Sequence, residues 1–168
     1  MVAACNFHIA RHDPLLLRQE RERLLSLVRK ATRLGSVREV GSTAVEGVIG
    51  KEDIDIAVVV PGNLFKAARA DLDRFFERDR EQISNDEYQG YRMQSDFDAA
   101  IQLTVSGSSF DTFSDFVEIL LGNRMVRKAY NELKMKWDGQ PMEQYRNAKA
   151  EFIERALRQR IDAKPPRT

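Results

Sequence analysis

The chain has 168 residues, with 27 basic and 26 acidic side chains and a net charge of +1, 42% apolar and 32% charged residues. That is long enough for one domain with a buried core, and the near-zero charge gives no case for a nucleic-acid or membrane partner. Cys5 is the only cysteine, so no internal disulfide forms; with no spanning-length apolar run and no signal-peptide core, the expected location is the cytoplasm.

In chain order, Asp13-Pro14 predicts a helix start, because Asp caps and Pro fits the first helical turn. Leu17, Leu24, Leu27, Val28, Ala31 and Leu34 then recur at helical spacing until Gly35. Val37 to Val40 reads as a short strand leading into a Gly41-Ser42 turn, and the connection that follows is punctuated by Gly47 and Gly50. Asp53 to Val60 reads as a buried strand ended by Pro61-Gly62. Asn63 is the expected cap of a helix whose apolar stripe is Leu64, Ala67, Ala68, Leu72, Phe75 and Phe76. Tyr88–Gln94 and Ala99–Val105 predict a strand pair joined around Ser95-Asp96-Phe97-Asp98. From Phe110 to about Ile161 the pattern is helical, broken near Gly122-Asn123 and Gly139-Gln140-Pro141. This order predicts one α/β (α+β) domain over 1–168: a core at about 13–106 with a small mixed sheet flanked by helices, C-terminal helices at about 110–161, and a frayed tail at 162–168.

The chemistry concentrates in the Gly41-Ser42 pair and the Asp53-Ile54-Asp55 triplet. Side chains alternate along a strand, so Asp53 and Asp55 share one side while Ile54 and Ile56 enter the core. Two such carboxylates repel unless a cation lies between them or one is protonated; oxygen donors suit Mg²⁺. Glycine lets backbone approach a ligand closely, and the serine hydroxyl can donate to a phosphate oxygen. A phosphate grip beside metal-holding carboxylates is the equipment of phosphoryl or nucleotidyl transfer. The alternative makes Asp53 a loop-end cap and pairs Asp55 with Lys51 or Arg38. His8 and His12 stand four apart, but Asp13-Pro14 starts the helix after them and no Cys or Glu partner is arranged nearby. Residues 1–122 carry 15 basic and 20 acidic side chains and 123–168 carry 12 and 6, so the C-terminal helices offer either a basic wall to a phosphorylated ligand or a solvated surface.

Gly-Ser, a spacer and Asp-x-Asp resemble the signature of the nucleotidyltransferase superfamily, the polymerase-β-like fold. Gly41-Ser42-Thr43-Ala44-Val45 with Gly47, Lys51 and Asp55 closely resembles the opening motif of the GrpB family. Phe116, Leu120, Ala129-Tyr130, Leu133-Lys134, Tyr145, Lys149 and Phe152-Ile153 fall in that family's order, so the resemblance covers about residues 10–160. It implies a nucleotidyltransferase-like fold, with Gly41 and Ser42 on phosphate and Asp53 and Asp55 as metal-binding, catalytic carboxylates for Mg²⁺. Lys51, at the end of the same connection, is a further phosphate-binding candidate as a charge for the leaving pyrophosphate. Lys134 and Lys149 are carried by the family motif and are candidates for substrate binding. The implied partner is a nucleoside triphosphate or another phosphorylated small molecule.

The chain departs from the pattern at Glu46 and Glu52, where the family often has Pro, and at Asp53, where it often has an apolar residue. The family's His-Leu-His is here Ile101-Gln102-Leu103, and its Phe-Arg-Asp is Phe116-Val117-Glu118. Gln102 thus stands where the superfamily's third carboxylate is expected; it hydrogen-bonds, contributing to substrate binding, but takes no proton at neutral pH. Asp98 lies four residues away, about 13 Å along a regular strand, Asp96 lies further, and Glu118 is a non-local candidate. Two functions follow as expectations: Mg²⁺-dependent transfer of a nucleotidyl group to a small acceptor, or nucleotide or phospholigand binding without turnover. A third, action through protein contacts alone, has no motif of its own here.

Overall fold

The structure, a computed structural model, describes residues 5–162. Helix α1 (Pro14–Ala31) starts where the sequence predicts: the Asp13 carboxylate accepts from the Leu15 N–H at 2.8 Å, and Pro14 opens the first turn. It ends at Thr32 in extended conformation, and Gly35, at φ +73°, turns the chain into β1 (Ser36–Val40). A Cβ on Gly35 would lie 2.2 Å from the Val59 carbonyl oxygen, so the turn is pressed against the sheet and needs glycine.

Strands β2 (Ile54–Val60), β4 (Tyr88–Arg92) and β5 (Ala99–Val105) form the rest of the sheet with a two-residue edge strand, β3 (Glu77–Arg78). The spatial order is β1-β2-β5-β4-β3. Only β2 and β5 run parallel; the other three pairings are antiparallel. The expected mixed sheet is therefore present, and the crossover between its two parallel strands includes α2 (Phe65–Leu72).

Each face of the sheet is covered. Ile54, Ile56, Val58 and Val60 bury against Leu24 and Val28 of α1 and Phe65, Ala68 and Leu72 of α2. Ala57 and Val59 point the other way, joining Val40 and Val117 of α3 (Phe113–Gly122). The C-terminal helices α3, α4 (Arg124–Trp137) and α5 (Met142–Asp162) share a second cluster of Phe116, Leu120, Tyr130 and Ala156. Val45, from the loop between β1 and β2, is buried in that same cluster.

Several local expectations differ. Asn63 caps nothing: Gly62–Leu64 is a 3₁₀ turn, and α2 begins after it without a side-chain cap. The helix stops at Leu72 and Phe75 beyond it is 66% exposed; Ala67 within it faces solvent, while Phe65, Ala68 and Leu72 are buried and Leu64 and Phe76 pack against the same core. The last helical part begins at Phe113 rather than Phe110. Both predicted breaks are present, and the Asn123 side chain caps α4 by accepting from Met125 and Val126. Of the tail expected at 162–168, residues 163–168 lie outside the described residues.

Candidate functional site

Val40, the last residue of β1, pairs with Asp55 of β2, so the chain leaving β1 passes directly over that carboxylate. Gly41 makes the passage at φ +80°, and a Cβ there would lie 2.7 Å from Asp55 Oδ2. Glycine is required on both counts. The next residues, Ser42–Ala44, form a 3₁₀ turn, and the Thr43 hydroxyl donates to the Asp53 carbonyl at 2.9 Å. That bond ties the two ends of the loop together.

Asp53 immediately precedes β2, and Asp55 lies within it. Ile54, between them, pairs with Ala99 and donates its N–H to the Asp98 carbonyl at 2.8 Å, which brings Asp98 beside Asp53 across the parallel strands. Lys51 Nζ sits 3.1 Å from Asp98 Oδ2 and 3.8 Å from Asp53 Oδ2. Asp55 is therefore not paired with Lys51 or Arg38. Burial, and then the neighbouring Asp53 charge, push the Asp55 carboxyl up to about 6; Asp98 adds to this, while Lys149 and Gln102 oppose it. Gln102 Nε2 donates to Asp55 Oδ1 at 3.3 Å. Its Oε1 is buried without a partner, so the position expected to hold a third carboxylate holds a neutral amide beside Asp55.

Lys134 reaches the loop from α4. Its ammonium donates to Ser42 Oγ and, at 2.6 Å, to the Ile49 carbonyl, and it lies 4.3 Å from the Tyr130 ring centre. The side chain is 1% exposed. Burial, and next the Lys149 charge, lower its pKa to about 7, against the pull of Asp53. Gly50 makes room for it: a Cβ there would stand 2.9 Å from Lys134 Nζ and 3.4 Å from Ser42 Oγ.

A cleft of about 470 Å³ opens beside the two carboxylates; Gly41, Ser42, Gln102 and Lys134, expected at the site, are not among its lining residues. Lys51, Asp53, Asp55, Asp98 and Lys149 line it, and Tyr145 and Arg146 of α5 complete one wall. Tyr145 stacks on Phe7 with ring centres 3.6 Å apart, whereas Tyr130 packs in the helical core between Phe116 and Phe152. Arg92 lines the cleft but is held by Asp79 and Glu81. Glu118 pairs with Arg160 at 2.5 Å and does not line the cleft, nor does Asp96. His8 and His12 face different carboxylates, Asp138 at 3.6 Å and Glu52 at 2.5 Å. Among the described residues, no three His, Cys, Asp or Glu side chains gather as a metal site.

Sequence reasoning missed Arg146, Asp79, Glu81 and Gln82 as lining residues. Arg146 stands three positions before Lys149 on one helix, a spacing that could have flagged it. The other three lie in the segment before β4, where no periodic pattern marks them.

The mixed sheet with its covering helices, and the carboxylate strand beside a glycine-serine turn, define an α+β domain with a carboxylate cleft at one end of its parallel strand pair. The chain belongs to the GrpB family: the model for "GrpB protein" matches residues 8–159. It is 32% identical over 125 residues to a UPF0157 protein of Vibrio cholerae, a match spanning 74% of this chain and 66% of that protein, just under two thirds of its length. The crystal structure of the conserved protein GrpB from Enterococcus faecalis superposes with a TM-score of 0.66 at 15% identity, covering 90% of this chain and 98% of that one. That second likeness concerns the fold. No helix among the described residues is long and apolar enough to cross a membrane.

Proposed function

We propose that the cleft binds a nucleoside triphosphate with Mg²⁺ and transfers its nucleotidyl group to the hydroxyl of a small acceptor. The observation that carries this reading is the opposition of two buried charges: Asp55 with Asp53 on the cleft floor, and Lys134 behind Ser42. Each is held in a form that burial disfavours, and a magnesium-phosphate complex supplies the opposite charge to both. Asp53 and Asp55 fit Mg²⁺ as a donor set, because that ion commonly takes one or two carboxylates and completes its shell with water and phosphate oxygens. When bound, the ion neutralises phosphate charge. Lys149, Arg146 and Lys51 face the phosphates from the cleft wall, and Lys134 supports Ser42 from behind, at the cleft's edge.

In the transfer, the acceptor oxygen forms a bond to the α-phosphorus, the α–β anhydride bond breaks and pyrophosphate leaves. The hydroxyl proton passes to a carboxylate of the cleft; Asp98 is the one next to Asp53 in the strand register. Gln102 favours a second reading, in which the same site binds the nucleotide without turnover, because the residue beside Asp55 takes no proton. Pyrophosphate release from a panel of Mg²⁺-NTPs separates the two. Transfer predicts release above the level of Asp53→Asn/Asp55→Asn, and release no greater than that variant's, from a protein that binds nucleotide, leaves the binding reading.

A further inference from the structure

The loop between β1 and β2 carries Ser42; the Thr43–Asp53 bond closes its ends and Val45 anchors it in the helical core, but its second half, from Gly47 to Glu52, is held from outside. Gly47 is at φ +81° and Glu52 at φ +60°, and Gly50 also lies in the loop. Two residues of α4, one helical turn apart, hold it from outside. Lys134 bonds the Ile49 carbonyl and Ser42 Oγ. Asn131, which the sequence reading did not single out, bonds the loop twice: its Oδ1 accepts from the Ile49 N–H at 3.1 Å, and its Nδ2 donates to the Gly47 carbonyl at 2.7 Å.

One amide thus satisfies a backbone donor and a backbone acceptor two residues apart. Asparagine is suited to this because it carries both kinds of group on a short, planar end. Alanine offers neither, and aspartate offers no donor, so its carboxylate would face the Gly47 carbonyl. The consequence passes to Lys134. Where Ile49 stands decides where its carbonyl meets the ammonium, and the ammonium then aims at Ser42. A buried lysine has few alternative partners, so a displaced loop leaves it short of a hydrogen bond or draws it away from Ser42.

We infer that Asn131 is a positioning residue for the phosphate loop: it clamps Gly47 and Ile49 so that Ser42 and Lys134 present their polar atoms together. The inference rests on the phosphate-binding reading of Ser42, and the test separates the two. Asn131→Ala and Asn131→Asp are compared with wild type in amide hydrogen exchange of the free protein and in calorimetric titration with Mg²⁺-ATP. Expected for Asn131→Ala is faster exchange at Ile49, unchanged protection in β2 and β5, and affinity at least tenfold weaker than wild type. Asn131→Asp keeps the acceptor for the Ile49 N–H and falls between. A purely structural role would lower protection across the sheet, and that result overturns the inference. So does tight wild-type binding that Asn131→Ala retains within twofold. If wild type binds no nucleotide, the phosphate-binding reading fails, and with it the role assigned to Asn131 in presenting Ser42. Selective loss of Ile49 protection would then show the clamp alone.

Discussion

Asp55 binds its proton more tightly in the folded chain than in the unfolded one, because its carboxyl is raised from 3.8 to about 6. Folding stability contributed by this group therefore falls as pH rises between those values, and the whole cost is present at neutral pH and above. At about 1.4 kcal/mol per unit, that cost is at most about 3 kcal/mol. Asp55→Asn removes the charge while keeping an oxygen for Gln102. We expect its Tm at pH 8 to exceed wild type by several degrees, at about 2–4 °C per kcal/mol for a chain of this size, with no gain at pH 4. A lower Tm at pH 8 would contradict the assignment. Lys134 has the opposite sign: lowered from 10.5 to about 7, its ammonium is costly below the folded value, and the cost is relieved as pH rises from there towards the unfolded value. On the proposed reading, a phosphate needs Lys134 charged and a cation needs Asp55 ionised. Affinity for Mg²⁺-ATP should accordingly peak between about pH 6 and about pH 7 and fall on both sides, as titrations across that range will test. Asp53, Asp55, Gly41 and Ser42 were legible in the sequence because their pattern is local. Lys134 and Lys149 entered only through the family motif, and Asn131 not at all, because its partners lie 82 and 84 residues away.

At the scale of elements, the site depends on how β1 hands the chain to the loop. Gly41→Ala would force an alanine into φ +80° and place its methyl against the Asp55 carboxylate. The backbone strain costs about 1–3 kcal/mol, and we expect a matching fall in denaturation midpoint together with loss of nucleotide binding. A variant as stable as wild type that still binds would show that the passage over Asp55 is wider than described. The strands β2 and β5 could be read directly, since long apolar runs between turn residues leave a strong signal. The end of α2 could not: Phe75 and Phe76 continue the helical spacing, but the chain turns after Leu72 to form β3. Nor could β3 itself, whose two residues are too few for a period. The position of Asp98 beside Asp53 depends on the register of two strands more than 40 residues apart, which only the assembled sheet sets.

Across the whole molecule, several attachments join the carboxylate core to the helical part, among them Val117 of α3 against Val40, Ala57 and Val59, and Asn131 of α4 on the β1–β2 loop. Val45 of the loop between β1 and β2 is buried among the helices, Lys134 spans from α4 to Ser42, and Phe7 of the N-terminal segment stacks on Tyr145 of α5. We propose that the two parts unfold as one domain. Heat or denaturant should produce a single transition with coincident fluorescence and circular dichroism curves, and two separated transitions would divide the chain near residue 110. The central claim, that Asp53, Asp55 and the Ser42 loop form one magnesium-nucleotide site, is tested most directly by calorimetric titration of Mg²⁺-ATP. Wild type and Asp53→Asn/Asp55→Asn should be measured side by side, with and without Mg²⁺. The account predicts metal-dependent binding by wild type that the folded double variant loses. Equal binding by both proteins, or none by a folded wild type, would contradict it.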